Sequence, residues 1–289
     1  MLNYIRTIMK EPLVSIIVTT KNEEYVLEML LVSIAKQTYK DIETIVVDNY
    51  SSDRTVSIAR KHASRVYSKG PERSAQRNYG AKKSRGTYML FLDADMQLSP
   101  NVIAESVAVF TSMPDTAAIV VPEESIGYTF WERVKAFERS FYCLERGEDF
   151  EAARFFRRDI FVGVSGYDEH IVGPEDWDLP KTIKKEGYAI RRIDSKIYHH
   201  ERINSLLLLG RKKYYYGLQS HRYLSKQKIS LVSPDTIYFL RPVFYKHWKK
   251  LLQQPILASG MVIMFLVELG AGGLGYFVGR LRDARFRTS

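Results

Sequence analysis

A single cysteine, Cys143, is the only thiol in this chain of 289 residues. Its isolation excludes a disulfide framework and a thiolate metal cluster, and it suits a reducing cytosol. No motif surrounds it, so a place in the buried core is expected rather than a nucleophilic role. Residues 1–11 lack the apolar stretch and cleavage site of a secretory leader, and none is expected. Internal repeats, low-complexity linkers and nucleic-acid recognition motifs are also missing, so nothing beyond net charge points to nucleic acid. The loop after the first apolar run, Thr19-Thr20-Lys21-Asn22-Glu23-Glu24, contains no glycine. That absence argues against the Gly-rich phosphate loop of a nucleotidyltransferase.

What the chain does have is a core and an excess of positive charge. Hydrophobic residues make up 45% and charged residues 26%, the balance of a globular protein. The formal net charge of +10 calls for an anionic partner. Much of it sits late, in Arg211-Lys212-Lys213, in residues 246–250 and in residues 280–287. Those runs bracket apolar segments, which points to a membrane surface rather than to a merely solvated basic face.

From Pro12 to about Ile119, short apolar runs alternate with amphipathic stretches. Residues 13–20 are β-branched and continuous enough for a strand buried on both faces. Residues 24–37 carry Val26, Leu27, Leu30, Leu31 and Ile34 at helical spacing. Residues 42–48 read as the second strand, 53–63 as a helix capped by Asp53, and Val66-Tyr67 as a third strand. Residues 73–84 read as a helix and 88–92 as a strand running into Asp93. This rhythm means a parallel sheet covered on both faces, with ligands beyond the carboxyl ends of its strands. Three of those ends are polar or acidic: Thr20-Lys21-Asn22-Glu23, Asp48-Asn49 and Asp93-Ala94-Asp95. Farther along, residues 130–142 form an aromatic helix, 163–169 a glycine-punctuated loop, and 193–198 a strand ending at His199-His200.

Two acidic motifs carry chemistry. Asp93-Ala94-Asp95 leaves a buried strand with two carboxylates, hard oxygen ligands suited to Mg²⁺ or Mn²⁺ holding a diphosphate. The same spacing on a solvated loop would mean nothing. Pro174-Glu175-Asp176-Trp177-Asp178-Leu179 opens a helix, where a carboxylate either caps the first turn or serves as general base.

The ordered set of motifs resembles an inverting family-two glycosyltransferase with the GT-A fold. Ser15 to Glu23 resembles that family's opening strand and loop, and Val46-Val47-Asp48-Asn49-Tyr50-Ser51-Ser52-Asp53 its nucleoside-reading element. Arg77-Asn78-Tyr79-Gly80 through Asp95 resembles its "R-N-x-G" to "D-x-D" stretch. Gly166-Tyr167-Asp168-Glu169 and Glu175-Asp176 resemble its acceptor loop and base motif. Together they cover roughly residues 12 to 200.

The resemblance implies an α/β domain over residues 1–225, with a nucleotide-binding half (12–120) and an acceptor half (121–225). Residues 226–289 would then be a helical, membrane-associated region. It also implies that Glu23 and Asp48 contact ribose and base, with Thr20 and Asn22 nearby. Arg73 and Arg77 would lie near the diphosphate, Asp95 would bind the metal, and Asp93 would contact ribose or metal. Asp176 would be the base, with Glu175 beside it. Asp93-Ala94-Asp95-Met96-Gln97 further resembles dolichyl-phosphate mannose synthases, adding Gln97 as a metal neighbour; a His such as His200 is a second. Those synthases transfer to a phosphate and generally lack the Glu-Asp motif, so its presence favours a hydroxyl acceptor. The implied donor is a UDP- or GDP-sugar. A non-catalytic lipid- or polysaccharide-binding module is the reading outside the enzyme class.

Residues 256–279 are 24 positions with one charge, Glu268, long enough to span a bilayer. Both flanks are basic: Lys246, Lys249 and Lys250 before, Arg280, Arg282, Arg285 and Arg287 after. A single span would put one cluster on the wrong side. The glycines at 270, 272, 273 and 275 suggest a break, so a helical hairpin in the cytosolic interface is expected. A spanning helix that self-associates into a homo-oligomer through Ala271, Gly275 and Gly279 is the alternative, and a buried soluble helix the third reading. Leu206 to Leu209, Tyr214 to Tyr216 and residues 238–245 suit a headgroup zone. The partners implied are therefore a membrane surface and a lipid-linked acceptor.

Overall fold

The computed structural model describes residues 11–145 and 152–286. The leader reading of residues 1–10, Arg287 and the side chain of Arg285 lie outside the described residues. In chain order the first half comprises β1 (Val14–Thr20), α1 (Leu27–Ala35), β2 (Ile42–Asp48), α2 (Thr55–His62), β3 (Arg65–Ser68), α3 (Arg73–Lys83), β4 (Tyr88–Asp93), β5 (Met96–Leu98), α4 (Val102–Ser112), β6 (Thr116–Val120) and β7 (Glu123–Ile126). The second half comprises α5 (Phe130–Tyr142), β8 (Phe155–Arg157), α6 (Arg158–Gly163), α7 (Glu175–Lys185), β9 (Ala189–Arg192), β10 (Ile197–His200), α8 (Leu206–Gln227), α9 (Pro242–Lys246), α10 (Trp248–Gln253) and α11 (Pro255–Phe286).

Seven strands form the main sheet in the order β3-β2-β1-β4-β8-β6-β9. All neighbours are parallel except β8, which runs antiparallel to β4 and β6. Every residue of β1 is buried. Ile16 and Val18 enter one core and Ile17 the core on the opposite face, the side-chain alternation of a strand covered on both sides. The register pairs Thr20 with Asp48 and Thr19 with Asp93. Three strand ends therefore lie in one row at the carboxyl edge. A smaller sheet, β5-β10-β7, closes over that edge and brings β10 beside Asp95.

Three expectations need correction. Residues 193–198 are not one strand: only Ile197 and Tyr198 lie in one, the start of β10 in the small sheet, and the residues before them follow β9 of the main sheet. Between them, the Glu105 carboxylate of α4 accepts hydrogen bonds from Asp194 N (2.7 Å) and Ser195 N (2.9 Å) and holds a turn. Asp53 does not cap α2, whose N-cap is Arg54. It accepts instead from Thr55 N at 3.0 Å and Glu24 N at 3.2 Å, tying the first two loops together. Cys143 is exposed after α5, with its Sγ 3.3 Å from the Glu123 carbonyl.

The largest departure is in the tail. α11 is one unbroken helix of 32 residues, not a hairpin. Its glycines do not break it; they let its backbone touch that of α8. A Cβ at Gly275 would collide with the Tyr214 carbonyl, and one at Gly279 with that of Leu218. The stripe expected to drive self-association is thus covered by α8 of the same chain. Beneath α11, Phe137, Phe141, Phe244, Met264 and Phe265 form a third core.

Candidate active site

The carboxyl edge opens onto a cleft of about 1320 Å³. Thr20, Glu23, Arg73, Asp93, Asp95, Glu175 and Asp176 all line it, so most residues singled out from the sequence meet in one place. Gln76 donates from Nε2 to Thr20 O at 3.0 Å and Val47 O at 2.7 Å, pinning the ends of β1 and β2. Asp48 is buried behind them, accepting from Thr20 Oγ1 (2.9 Å) and Ser51 N (2.8 Å). Asn22, at φ 56°, bonds the backbone of Ser52 at 2.9 Å. Both shape the loops rather than the cleft wall.

Arg77 is the centre of the charge network. It is fully buried on α3. Its guanidinium lies 2.5 Å from Asp176 Oδ1, 3.0 Å from Asp93 Oδ1 and 3.6 Å from Glu175 Oε1. One cation thus joins the metal motif to the base motif. One turn earlier, Arg73 is 36% exposed and faces the cleft, 2.9 Å from Glu175 Oε1. Of the two arginines, only Arg73 is on the cleft wall. Asn78 works elsewhere, clamping Tyr167 of the glycine-punctuated loop through Tyr167 N (2.9 Å) and Tyr167 O (2.8 Å).

Burial pushes the Asp93 carboxyl up, but Arg77, Arg154 and Arg73 outweigh it and hold it far below the usual carboxylate range. Burial raises Glu175, and Arg73 only partly offsets this. Its two oxygens have close cations but no aligned hydrogen bond. Lys212 on α8, also on the cleft wall, is pushed down by burial and then by Arg73. The charges are packed in Arg–carboxylate alternation because an unpaired buried ion is costly.

Asp95 keeps one open carboxylate oxygen. Its Oδ1 is buried without a hydrogen-bond partner, 3.5 Å from His199 Nε2, while Oδ2 lies 3.5 Å from Arg202. That fits a divalent ion sharing one or two carboxylates with a substrate's phosphates. Among the described residues no three His, Cys, Asp or Glu side chains form a ready-made cage. Asp93 is taken up by arginines, leaving Asp95 as the residue that fits a metal directly. Gln97 and His200 do not line the cleft. Alternation along β10 turns His199 toward Asp95, while His200 stacks over Tyr128 at 6.3 Å.

Several cleft residues carried no signal in the sequence. Glu123 of β7 accepts from Arg154, lies 3.2 Å from His199 Nδ1 and 3.3 Å from Arg139. Arg202 binds Glu23 at 2.6 Å and reaches Asp95. They come from separate strands and loops, and only the small sheet brings them together. His199-His200 was the one hint, and it marked the right strand end.

The family model described as glycosyl transferase family 2 matches residues 15–167. The chain belongs to that family. A PGL/p-HBAD biosynthesis glycosyltransferase of Mycobacterium tuberculosis is 30% identical over 181 residues, 59% of this chain and 69% of that one. An uncharacterized glycosyltransferase of Rickettsia typhi is 24% identical over 269 residues, 81% and 80% of the two chains. Among solved structures, the mannosyltransferase PcManGT of Pyrobaculum calidifontis, in complex with GDP-Man and Mn²⁺, superposes with a TM-score of 0.58 at 17% identity, covering 92% of this chain and 74% of that one. Glucosyl-3-phosphoglycerate synthase of M. tuberculosis, in complex with Mn²⁺ and UDP, superposes at 0.55 and 19%, covering 76% and 81%. These likenesses carry the GT-A-like fold, and with the family they make this chain a glycosyltransferase.

Proposed function

We propose that this glycosyltransferase moves a sugar from a UDP- or GDP-sugar onto a hydroxyl of a lipid-linked saccharide, at the cytoplasmic face of a membrane, with inversion. The observation that carries the reading is Arg77, which bridges the donor-side Asp93 and the acceptor-side Asp176 within one cleft. Thr20 and Glu23 take the nucleoside end, with Asp48 holding Thr20 from behind, and Arg73 meets the diphosphate. A bound Mn²⁺ or Mg²⁺, held through Asp95, supplies charge neutralisation on the departing diphosphate. Asp176 accepts the proton of the attacking hydroxyl, and Arg77 fixes the carboxylate's orientation. Its side chain is 18% exposed against 2% for Glu175, so Asp176 is the one that reaches an acceptor. Attack opposite the leaving diphosphate in one displacement inverts the anomeric centre.

Asp176→Asn keeps the shape and removes the proton acceptor. Turnover is expected to fall by at least about a hundredfold, with nucleotide binding unchanged. Full turnover in this variant would overturn the assignment.

The membrane part rests on α11. Within Pro255–Ala284 the most apolar 18-residue window has a mean hydropathy of 1.8, and only 28% of it is buried. Leu266, Leu274, Phe277 and Leu281 are among its exposed apolar side chains. Glu268, near its middle, is ion-paired to Lys135 of α5 (3.3 Å) and Lys213 of α8 (3.2 Å). A helix fastened to the globular part at its centre lies along the interface rather than across the bilayer.

A further inference from the structure

The cleft does not stop at the catalytic carboxylates. Past α8 it continues into a chamber walled by α5, α8, α11 and residues 231–241. Lys212 and Lys213 are consecutive on α8, and about 100° separates neighbours around a helix. Lys212 feels Arg73, Asp95 and Asp93 at the donor end. Lys213 points the other way, to Glu268 at 3.2 Å. One turn of helix is all that divides the two compartments.

The chamber is polar where helix packing alone would ask for apolar side chains. Lys135 lies 2.5 Å from Glu138 and 3.3 Å from Glu268. Arg241 lies 4.0 Å from Glu138, with its guanidinium 4.3 Å over the Tyr238 ring. Three cations thus face two carboxylates. Glu268 has a fully buried side chain, and its Oε2 has no hydrogen-bond partner. An unbalanced positive charge and an idle acceptor in a buried space are costly unless a ligand completes them. Toward the outside the lining turns apolar, with Leu231, Leu269 and Phe277 at 46%, 40% and 62% exposure. Those side chains are continuous with the exposed face of α11.

We infer that this chamber is the headgroup subsite for a lipid-tailed acceptor: Lys213, Lys135 and Arg241 hold its phosphate, Glu268 Oε2 accepts from a headgroup hydroxyl, and the hydrocarbon leaves past Leu269 and Phe277. The inference rests on the acceptor reading above and adds the residues that select the acceptor. A phosphate in the chamber puts the saccharide beyond it across one turn of α8, toward Asp176.

The test is binding of farnesyl phosphate, farnesol and inorganic phosphate to the full chain in detergent micelles, by calorimetry, with EDTA present to silence the donor site. Farnesyl phosphate is expected to bind about tenfold tighter than either fragment. Lys213→Met is expected to weaken farnesyl phosphate about tenfold and leave farnesol unchanged, with Lys213→Arg restoring it and Asp95→Ala without effect. If Lys213→Met does not fold, Arg241→Gln is read in its place. Equal affinity for farnesol would reduce the chamber to an apolar groove, and equal affinity for inorganic phosphate to a free-anion site. Either result, or unchanged binding in the variants, overturns the inference. Melting of the same samples with UDP or GDP and Mn²⁺ reports the donor reading separately. A nucleotide shift without headgroup selectivity sinks only the subsite, whereas no nucleotide shift sinks the proposed function.

Discussion

Arg77 shows how much of this molecule depends on one side chain. It has no exposed surface, and it faces Asp93, Glu175 and Asp176 at once. Taking it away leaves three carboxylates close together with too little positive charge. Arg77→Met is expected to destabilise the protein by about 3–5 kcal/mol, read from denaturant unfolding. Arg77→Lys should not rescue it, because a single ammonium cannot span Asp93 and Asp176 as a planar guanidinium does. A loss below about 1 kcal/mol would show that the carboxylates find other partners. The "R-N-x-G" motif was legible in the sequence, and so was the cluster of acids. That Arg73 rather than Arg77 faces the cleft was not, since both lie on α3 and only packing against Tyr167 and the main sheet buries one of them.

At the level of elements, legibility followed continuity of pattern. β2 and α5 match their expected bounds, because one is a mostly β-branched run closed by Asp48 and the other combines an amphipathic stripe with a Thr129–Glu132 capping box. Residues 193–198 misled because their turn is held by Glu105, 89 and 90 positions away in sequence from the two residues it bonds. The glycines of α11 misled for a related reason. Locally a glycine cluster weakens a helix, yet here Gly275 and Gly279 allow a close approach of α8 that a side chain would block. Gly275→Leu is therefore expected to force α8 and α11 apart and to cost about 1–3 kcal/mol. Gly270→Leu, where a Cβ meets nothing within 4 Å, should be tolerated. Melting temperatures of the two variants decide the matter; equal effects would mean that the glycines matter only as weak helix formers.

For the whole molecule, a basic, nucleotide-handling sheet domain carries a largely exposed apolar helix on one side. Trp248 and Leu252 of α10 and Ile256 of α11 extend the apolar face, at 52%, 68% and 74% exposure. Lys246, Lys249 and Lys250 lie in the same stretch, so on the proposed membrane surface apolar insertion and attraction to anionic headgroups would act together. The full chain is expected to co-sediment with vesicles containing phosphatidylserine, less so at high salt. Leu252→Ser with Ile256→Ser should release it without changing its melting temperature. Binding that ignores both salt and these substitutions would remove the interfacial orientation. The apolar character of residues 256–279 was legible in the sequence; that they form one helix fastened at its middle was not, because the ion pairs of Glu268 to α5 and α8 exist only in the folded chain.

The central claim, that Asp95 and its neighbours hold a metal-bound nucleotide, is tested most directly by melting the full chain with UDP, GDP and CMP, with and without Mn²⁺. Stabilisation by one nucleoside diphosphate that requires the metal and disappears in Asp95→Ala is the expected result. At a hundredfold excess over the dissociation constant it should amount to about 2.7 kcal/mol. The absence of any shift with every nucleotide and metal would contradict the account and leave a protein that keeps the fold without the chemistry.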